Sequence, residues 1–357
     1  MLSLKEKINK QKLKTKSWFE KNEKYLTIGF FLAGLVIDNL TLTRIDRLYD
    51  NLIIISYLCI AVFSIILINL AQTKKIIKNA PRFVNFSRYL PLASQFAYGG
   101  LFSAYIIFYT KSASWATSWI FLLIIFGLFL GNERFRKQYK EIDFQINILF
   151  LALFSFMIFF VPVILKKMGD WIFILSGVLS VILIWLLIKF ISRFILKINP
   201  KKKKKMITHI TGVFIIFNLM YFLNVIPPVP LSIKEIGVYR NIQKTKDGNY
   251  LFKEVEVPWY SFGNRFIEIS KGTVYVYSSI FAPTDLNTKI IYEWQKYSES
   301  KREWVGYGEI DYPITGGRKD GYRGFVYASN LSTGDWRVSI KTKSDLTVGR
   351  IKFEIID

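Results

Sequence analysis

The residues of this chain that could do chemistry fall into two groups. The first is Asp38, Arg44, Asp46, Tyr105 and Lys111, which cluster at matching ends of apolar segments. Asp38 lies one helical turn after Gly34 inside such a segment, and an ionisable group there is costly enough to be a functional candidate by default. Gly99/Ser103 and Gly100/Ala104 recur at a spacing of four, which lets a neighbouring helix approach closely, and Tyr105 and Lys111 follow toward the same end. Two carboxylates, two cations and a phenol could hold a headgroup, an ion or a small anionic substrate. They could equally form an ion-paired lock between helix ends.

The second group is Trp294, Gln295, Arg318, Tyr322, Arg323 and Trp336. Aromatic rings interleaved with cations suit stacking on sugar rings, although such rings also build cores, burying about 150–250 Å² each. The run TGGRKDGYRG (315–324) offers glycine-rich backbone and three cations that could cradle an anion. A hairpin loop with solvated charges explains it as well.

Other chemistries are excluded or weakened. One cysteine, Cys59, rules out an internal disulfide framework and Cys-rich metal sites. One histidine, His209, rules out His-cluster zinc and weakens any Ser-His-Asp triad. No metal and no cofactor is expected. No paired carboxylates in a dry setting support a glycosidase. The balance points away from an enzyme without ruling one out.

These groups must be positioned by two kinds of element. The 357 residues are 52% apolar, yet carry 49 Lys+Arg against 26 Asp+Glu, a net charge of +23. A single soluble domain rarely combines the two. Apolar runs of membrane-spanning length recur up to about residue 226 and then stop, at 25–42, 52–71, 89–110, 115–131, 145–165, 171–191 and 206–226. Seven spans is the best count. The connections 1–24, 72–88, 132–143 and 192–205 hold 24 Lys/Arg, whereas 43–51, 111–114 and 166–170 hold 5. That alternation places the N-terminus in the cytoplasm and, after an odd number of spans, residues 227–357 outside. The expected location is a bacterial inner (plasma) membrane, with the C-terminal domain periplasmic or extracellular. Residues 1–24, with Leu4, Ile8, Trp18 and Phe19 among eight lysines, read as a basic helix on anionic lipid. The Lys201–Lys205 run precedes a span and serves topology; no nucleic-acid partner is expected.

After NVIPPVPLS (224–232) the composition changes, and residues 227–234 read as a proline stalk. Residues 235–357 contain short alternating runs rich in β-branched and aromatic residues, at 250–257, 265–270, 273–280, 288–297, 302–310, 322–329, 335–342 and 347–356. Period-2 alternation argues strands. The predicted fold is an α-helical multi-pass membrane bundle followed by an all-β, immunoglobulin-like sandwich, without the cysteine pair of true immunoglobulin domains.

Several strings then resemble, together, an uncharacterised bacterial multi-pass membrane family: DNLTLTRID (38–46), GGLFSAYIIFYTKSAS (99–114), GNE (131–133), PPVPLSIKEIGVY (227–239), FAPTDLNTKIIYEWQKY (281–297), GGRKDGYRG (316–324) and GDWRV (334–338). The resemblance implies a C-terminal domain of unknown function marked by a WQ, GGR, GYRG and GxWRV pattern. Where the family tends to carry His, this chain has Tyr292 and Arg240, so no His-dependent chemistry carries over. The resemblance implies architecture and no activity.

Two functions therefore stand as expectations. One is an envelope protein whose outer β-sandwich binds a glycan, a lipid headgroup or a partner protein. The alternative is an outer-leaflet enzyme or transporter acting on a lipid-linked or small anionic substrate through Asp38, Arg44, Asp46 and Lys111. Partners expected are a bilayer with anionic lipids and an envelope glycan or membrane protein; the oligomeric state is left open.

Overall fold

A computed structural model describes residues 36, 38, 40–42, 44–73, 80–87, 89–112, 115–132, 134–136, 138–246, 250–253, 268–284, 286–318 and 320–356. The basic segment 1–24 and most of the span expected at 25–42 lie outside these residues.

The N-terminal region is helical. Its elements are α1 (Leu48–Ala71), α2 (Pro81–Ser87), α3 (Leu90–Ser112), α4 (Trp115–Gly131), α5 (Ile142–Leu165), α6 (Asp170–Phe194) and α7 (Pro200–Phe222). Among the described residues, α1, α5, α6 and α7 are long and apolar enough to cross a membrane. Large apolar side chains such as Phe63, Leu123, Trp171 and Leu219 stay exposed, as expected where the surroundings are lipid. Three of the seven expected spans do not meet that measure. The first is largely outside the described residues, and the apolar part of α4 is short, covering Thr117–Gly131. Helix α3 is long, but Ser94, Gln95, Tyr98, Ser103, Tyr105 and Tyr109 dilute its hydropathy; its tyrosines are buried against other helices rather than exposed to lipid.

Helix α7 starts six residues before the apolar run because Pro200 is pre-set for a first turn and the Asn199 side chain accepts the Lys201 backbone N–H at 2.9 Å. The Lys201–Lys205 run therefore forms the first turns of that helix. Close packing uses small residues where expected: a Cβ on Gly100 of α3 would lie 2.5 Å from the Tyr57 ring of α1. Asn132, just after α4, is buried. It donates to the Gln95 carbonyl at 2.7 Å and accepts the Tyr139 hydroxyl, while Gln145 accepts from Asn69 at 2.7 Å and donates to the Tyr139 carbonyl at 2.6 Å. This buried chain of amides and a phenol joins α1, α3 and α5 with nearly every donor answered, the condition under which polar groups are tolerated in an apolar interior.

The C-terminal region is a sheet domain. Its strands are β1 (Ser232–Tyr239), β2 (Asn241–Lys244), β3 (Tyr250–Lys253), β4 (Glu268–Ser270), β5 (Val274–Phe281), β6 (Asn287–Ser298), β7 (Glu303–Thr315), β8 (Tyr322–Ala328), β9 (Gly334–Thr342) and β10 (Thr347–Ile356). Strands β1-β5-β8 form one sheet, β4-β10-β9-β6-β7 a second, and β2-β3 a small ribbon. All pairings are antiparallel except β4 with β10. Val274, Val276 and Ile280 of the first sheet share one core with Trp294, Trp336, Val338 and Phe353 of the second. Residues 226–232 are buried, and β1 begins inside the proline segment at Ser232, so the chain passes from helix to sheet with no free connection.

Candidate functional site

The polar ends of α1 and α3 meet the sheet domain, and most of the first predicted group is there. The Arg44 guanidinium grips Asp46 with both arms, Nε to Oδ1 at 3.0 Å and Nη2 to Oδ2 at 2.7 Å. Its backbone N–H donates to Asp50 at 3.0 Å. From the sheet domain, the Thr284 backbone N–H and hydroxyl both reach Asp46 Oδ2, each at 3.4 Å. The Phe281 ring lies under two cations, 5.1 Å from the Arg44 guanidinium carbon and 5.6 Å from Lys234 Nζ. Lys111 donates to the Leu42 carbonyl at 2.9 Å, and Asp38 accepts the Ser103 hydroxyl at 2.5 Å.

Tyr105 does not belong to this cluster. It is fully buried, donating to the Ala152 carbonyl of α5 at 2.8 Å, because the helix turns its ring into the bundle. The cavity among Arg44, Phe108, Lys111, Ser112, Ser232 and Lys234 is only about 20 Å³. That is room for about one water. A second cavity, about 40 Å³, lies between the ends of α5 to α7 and the β9–β10 turn. Among the described residues the seam is held by the Arg44–Asp46 ion pair and by hydrogen bonds.

Bidentate Arg–carboxylate pairs are the strong kind, and the Asp46 side chain is only 7% exposed. Asp46→Asn should therefore lower the stability of the detergent-solubilised chain by about 1–3 kcal/mol. In a cycle with Arg44→Met, thermal unfolding should give a coupling energy of about 0.5–3 kcal/mol; strictly additive losses would show that the pair carries no weight.

The second predicted group separates into three places. Trp294 and Trp336 are core residues, 2% and 0% exposed, because strand register turns them inward. The glycine-rich loop holds its own backbone: Gly316 N–H donates to the Leu286 carbonyl at 2.9 Å, Gly317 N–H to Ala282 at 3.1 Å and Gly321 N–H to Arg318 at 3.1 Å. Those donors are spent inside the fold, so they form no anion cradle. Arg318 lies 4.6 Å over the Tyr322 ring, and Arg323 faces Asp320 at 3.5 Å.

Gln295 alone points to a site, on the outward face of the five-stranded sheet. Register places Gln295, Arg337 and Lys352 in one row across β6, β9 and β10, and Glu293, Ser339 and Arg350 in the next. Arg337 donates its Nε–H to Gln295 Oε1 and stacks 4.5 Å from the Trp304 ring centre. Arg350 donates its Nε–H to Ser339 at 3.0 Å. Glu293 is taken up by Lys341 at 2.7 Å and Gln295 at 2.9 Å. Burial, and then the neighbouring Arg350 charge, push Arg337 down to about 10. Burial lowers Arg350 as well. Burial works against the Lys341 charge, but Asp345 and Glu293 outweigh it and raise its pKa. Trp304 is one of the aromatic residues that suggested a stacking platform, whereas Arg337, Arg350 and Lys352 were not singled out from the sequence. The available signal was the period of two, which turns Arg337 outward once Trp336 is turned in.

The comparisons bear on this same stretch. Residues 287–355 match a family model described as a protein of unknown function, DUF2914. The matched residues run from β6 into β10 and contain both rows of the outward face. No curated protein matches the chain. Among solved structures, a mutant β-glucosidase from Listeria innocua in complex with laminaribiose aligns at 12% identity over 36% of this chain and 16% of its own, with a TM-score of 0.20. An alkylpurine DNA glycosylase from Pseudomonas fluorescens, bound to DNA with an abasic-site analogue, aligns at 8% identity over 88% of this chain and all of its own, with a TM-score of 0.23. At such scores neither carries an argument about fold or function.

Proposed function

We infer that the chain is an integral protein of a bacterial inner membrane, crossing it about seven times with its N-terminus in the cytoplasm. Its immunoglobulin-like sandwich then stands outside and binds an envelope ligand: a glycan, a lipid headgroup or a partner protein. The supporting observation is the paired seam. Where a membrane enzyme or transporter would need a substrate chamber, Arg44 pairs with Asp46, Thr284 reaches the same carboxylate, and the neighbouring cavity lined by described residues has room for about one water. Recognition is therefore assigned to the sandwich surface.

The test uses the whole chain in nanodiscs, incubated with solubilised envelope glycans and lipid extract, with retained molecules identified by mass. Retention of a defined glycan or lipid is expected; retention of nothing overturns the reading. The competing reading, chemistry at Asp38, Arg44, Asp46 and Lys111, predicts that Asp38→Ala and Lys111→Ala abolish a cellular phenotype at unchanged membrane abundance. Under the binding reading those phenotypes track protein level.

A further inference from the structure

The outward face of the five-stranded sheet gathers three cations, Arg337, Arg350 and Lys352, with Glu293 in the row of Arg350 and Asp335 and Glu354 in the row beyond Arg337 and Lys352. Arg337, Arg350 and Lys352 lie on adjacent strands, all half-buried. Among the described residues none of them has a carboxylate within 4.0 Å. Glu293 is bonded to Lys341 and Gln295 and offsets the charge of Arg337 and Arg350 only from a distance. Each arginine has its Nε–H committed, to Gln295 or to Ser339, which orients the guanidinium and leaves the two terminal nitrogens as further donors. Trp304 backs the arrangement, with Arg337 at 4.5 Å and Lys352 at 5.6 Å from its ring centre. Half-burying like charges side by side costs stability, and an oxyanion supplied from outside would offset that cost.

The number and shape of the donors narrow the ligand. One carboxylate saturates one guanidinium fork, whereas two forks at diagonal positions plus an ammonium match the several oxygens of a phosphate. Position narrows it further. Thr342, at the end of β9, lines the cavity at the helix ends, and Arg337 lies five residues along the strand. At about 3.3 Å per residue the Arg337–Lys352 row stands roughly 17 Å, and Arg350 beside Ser339 roughly 10 Å, along the strand from the helix ends, against a headgroup layer about 5–7 Å deep. A phosphate borne on a sugar polymer suits this level better than the phosphate of a lipid in the same leaflet. Tyr297 packs edge-on to Trp304 at 5.3 Å between centres and extends the aromatic surface beside the cations, where a sugar ring could lie.

We propose that Arg337, Arg350 and Lys352 form a phosphate-binding site for a phosphorylated glycan, with Gln295, Ser339 and Trp304 as positioning residues. This rests on the binding-module reading above and names its ligand class and its residues.

The experiment places the full chain in phosphatidylcholine nanodiscs and follows the anisotropy of a labelled phosphorylated oligomannose, with the dephosphorylated sugar as its pair. The phosphorylated form should bind at least about tenfold tighter. Arg337→Gln and Arg350→Gln should each weaken it by about tenfold or more, the scale of a lost charge-assisted hydrogen bond. Their unfolding temperatures should be unchanged or higher, since each relieves a like-charge contact. Lys244→Gln, on the β2–β3 ribbon, should bind as the parent does. Inorganic phosphate should compete at high concentration, and phosphatidylglycerol vesicles should compete poorly. Equal binding of both sugars, or parental affinity in both arginine variants, overturns the proposal. Competition by vesicles in preference to the phosphorylated sugar overturns the glycan as source. If the parent retains an envelope glycan and the arginine variants retain it equally, this site fails while the binding-module reading stands; if the parent retains nothing, both fail.

Discussion

Trp336→Ala should unfold the sheet domain while leaving the helices in place. The side chain is fully buried among Val338, Phe353 and Trp294, its Nε1–H donates to the Ser332 carbonyl at 2.8 Å, and Tyr307 packs edge-on at 4.9 Å. Truncating a buried tryptophan leaves a cavity and costs about 3–5 kcal/mol. A domain of this size has about 5–15 kcal/mol in all, so the loss takes a large share of it. The Ser332 carbonyl also loses its donor. Trp336→Phe, which keeps most of the volume, should cost about 1–3 kcal/mol. In proteoliposomes the Ala variant should show protease cleavage confined to residues beyond 231 and a weakened near-ultraviolet signal, with helical far-ultraviolet ellipticity retained. An unfolding temperature within a degree or two of the parent would show that the two sheets do not depend on this ring.

The example also shows how far the sequence could be read. Eight alternating runs marked β3 to β10, because period-2 patterning is local. Strands β1 and β2 escaped notice: SIKEIGVY (232–239) follows a proline run that suggested a stalk, and NIQK (241–244) is too short to show a period. The apolar runs of α1, α5, α6 and α7 were legible for the same local reason. What no local pattern contains is register. Whether Trp336 or Arg337 faces the core depends on which strands flank β9, and the row Gln295–Arg337–Lys352 joins positions far apart in the chain. The candidates Trp294 and Trp336 were chosen for residue type, and register placed their neighbours at the surface instead. The seam is a like case. Asp38, Arg44, Asp46 and Lys111 were legible as a polar helix end, but Thr284, the partner that closes it, lies 238 residues from Asp46.

Gly316→Val should release the sheet domain from the helices without unfolding either. A Cβ at this position would sit 1.7 Å from the Pro283 carbonyl oxygen and 3.0 Å from that of Ala282. The obstructing atoms are backbone, so no rotamer change relieves the clash, and the loop 282–286 must move. That loop is held by Gly316 N–H on Leu286 at 2.9 Å, Gly317 N–H on Ala282 at 3.1 Å and Leu286 N–H on Pro283 at 3.1 Å. It carries Thr284 onto Asp46 and follows Phe281, the ring beneath Arg44 and Lys234. Losing these bonds should cost about 2–4 kcal/mol. The sandwich core lies elsewhere, around Trp294 and Trp336, and stays packed. Calorimetry should then resolve two unfolding transitions where the parent shows one, and hydrogen exchange should accelerate at the amides of Thr284, Leu286 and residue 316 while the amides of β9 remain protected. Gly308→Ala, where an added Cβ meets nothing within 4 Å, is the control and should change stability by no more than about 0.5 kcal/mol. A single transition at the parental temperature in Gly316→Val would mean that the domains are joined through the buried 226–232 segment alone, and that the Arg44–Asp46–Thr284 lock is incidental to it.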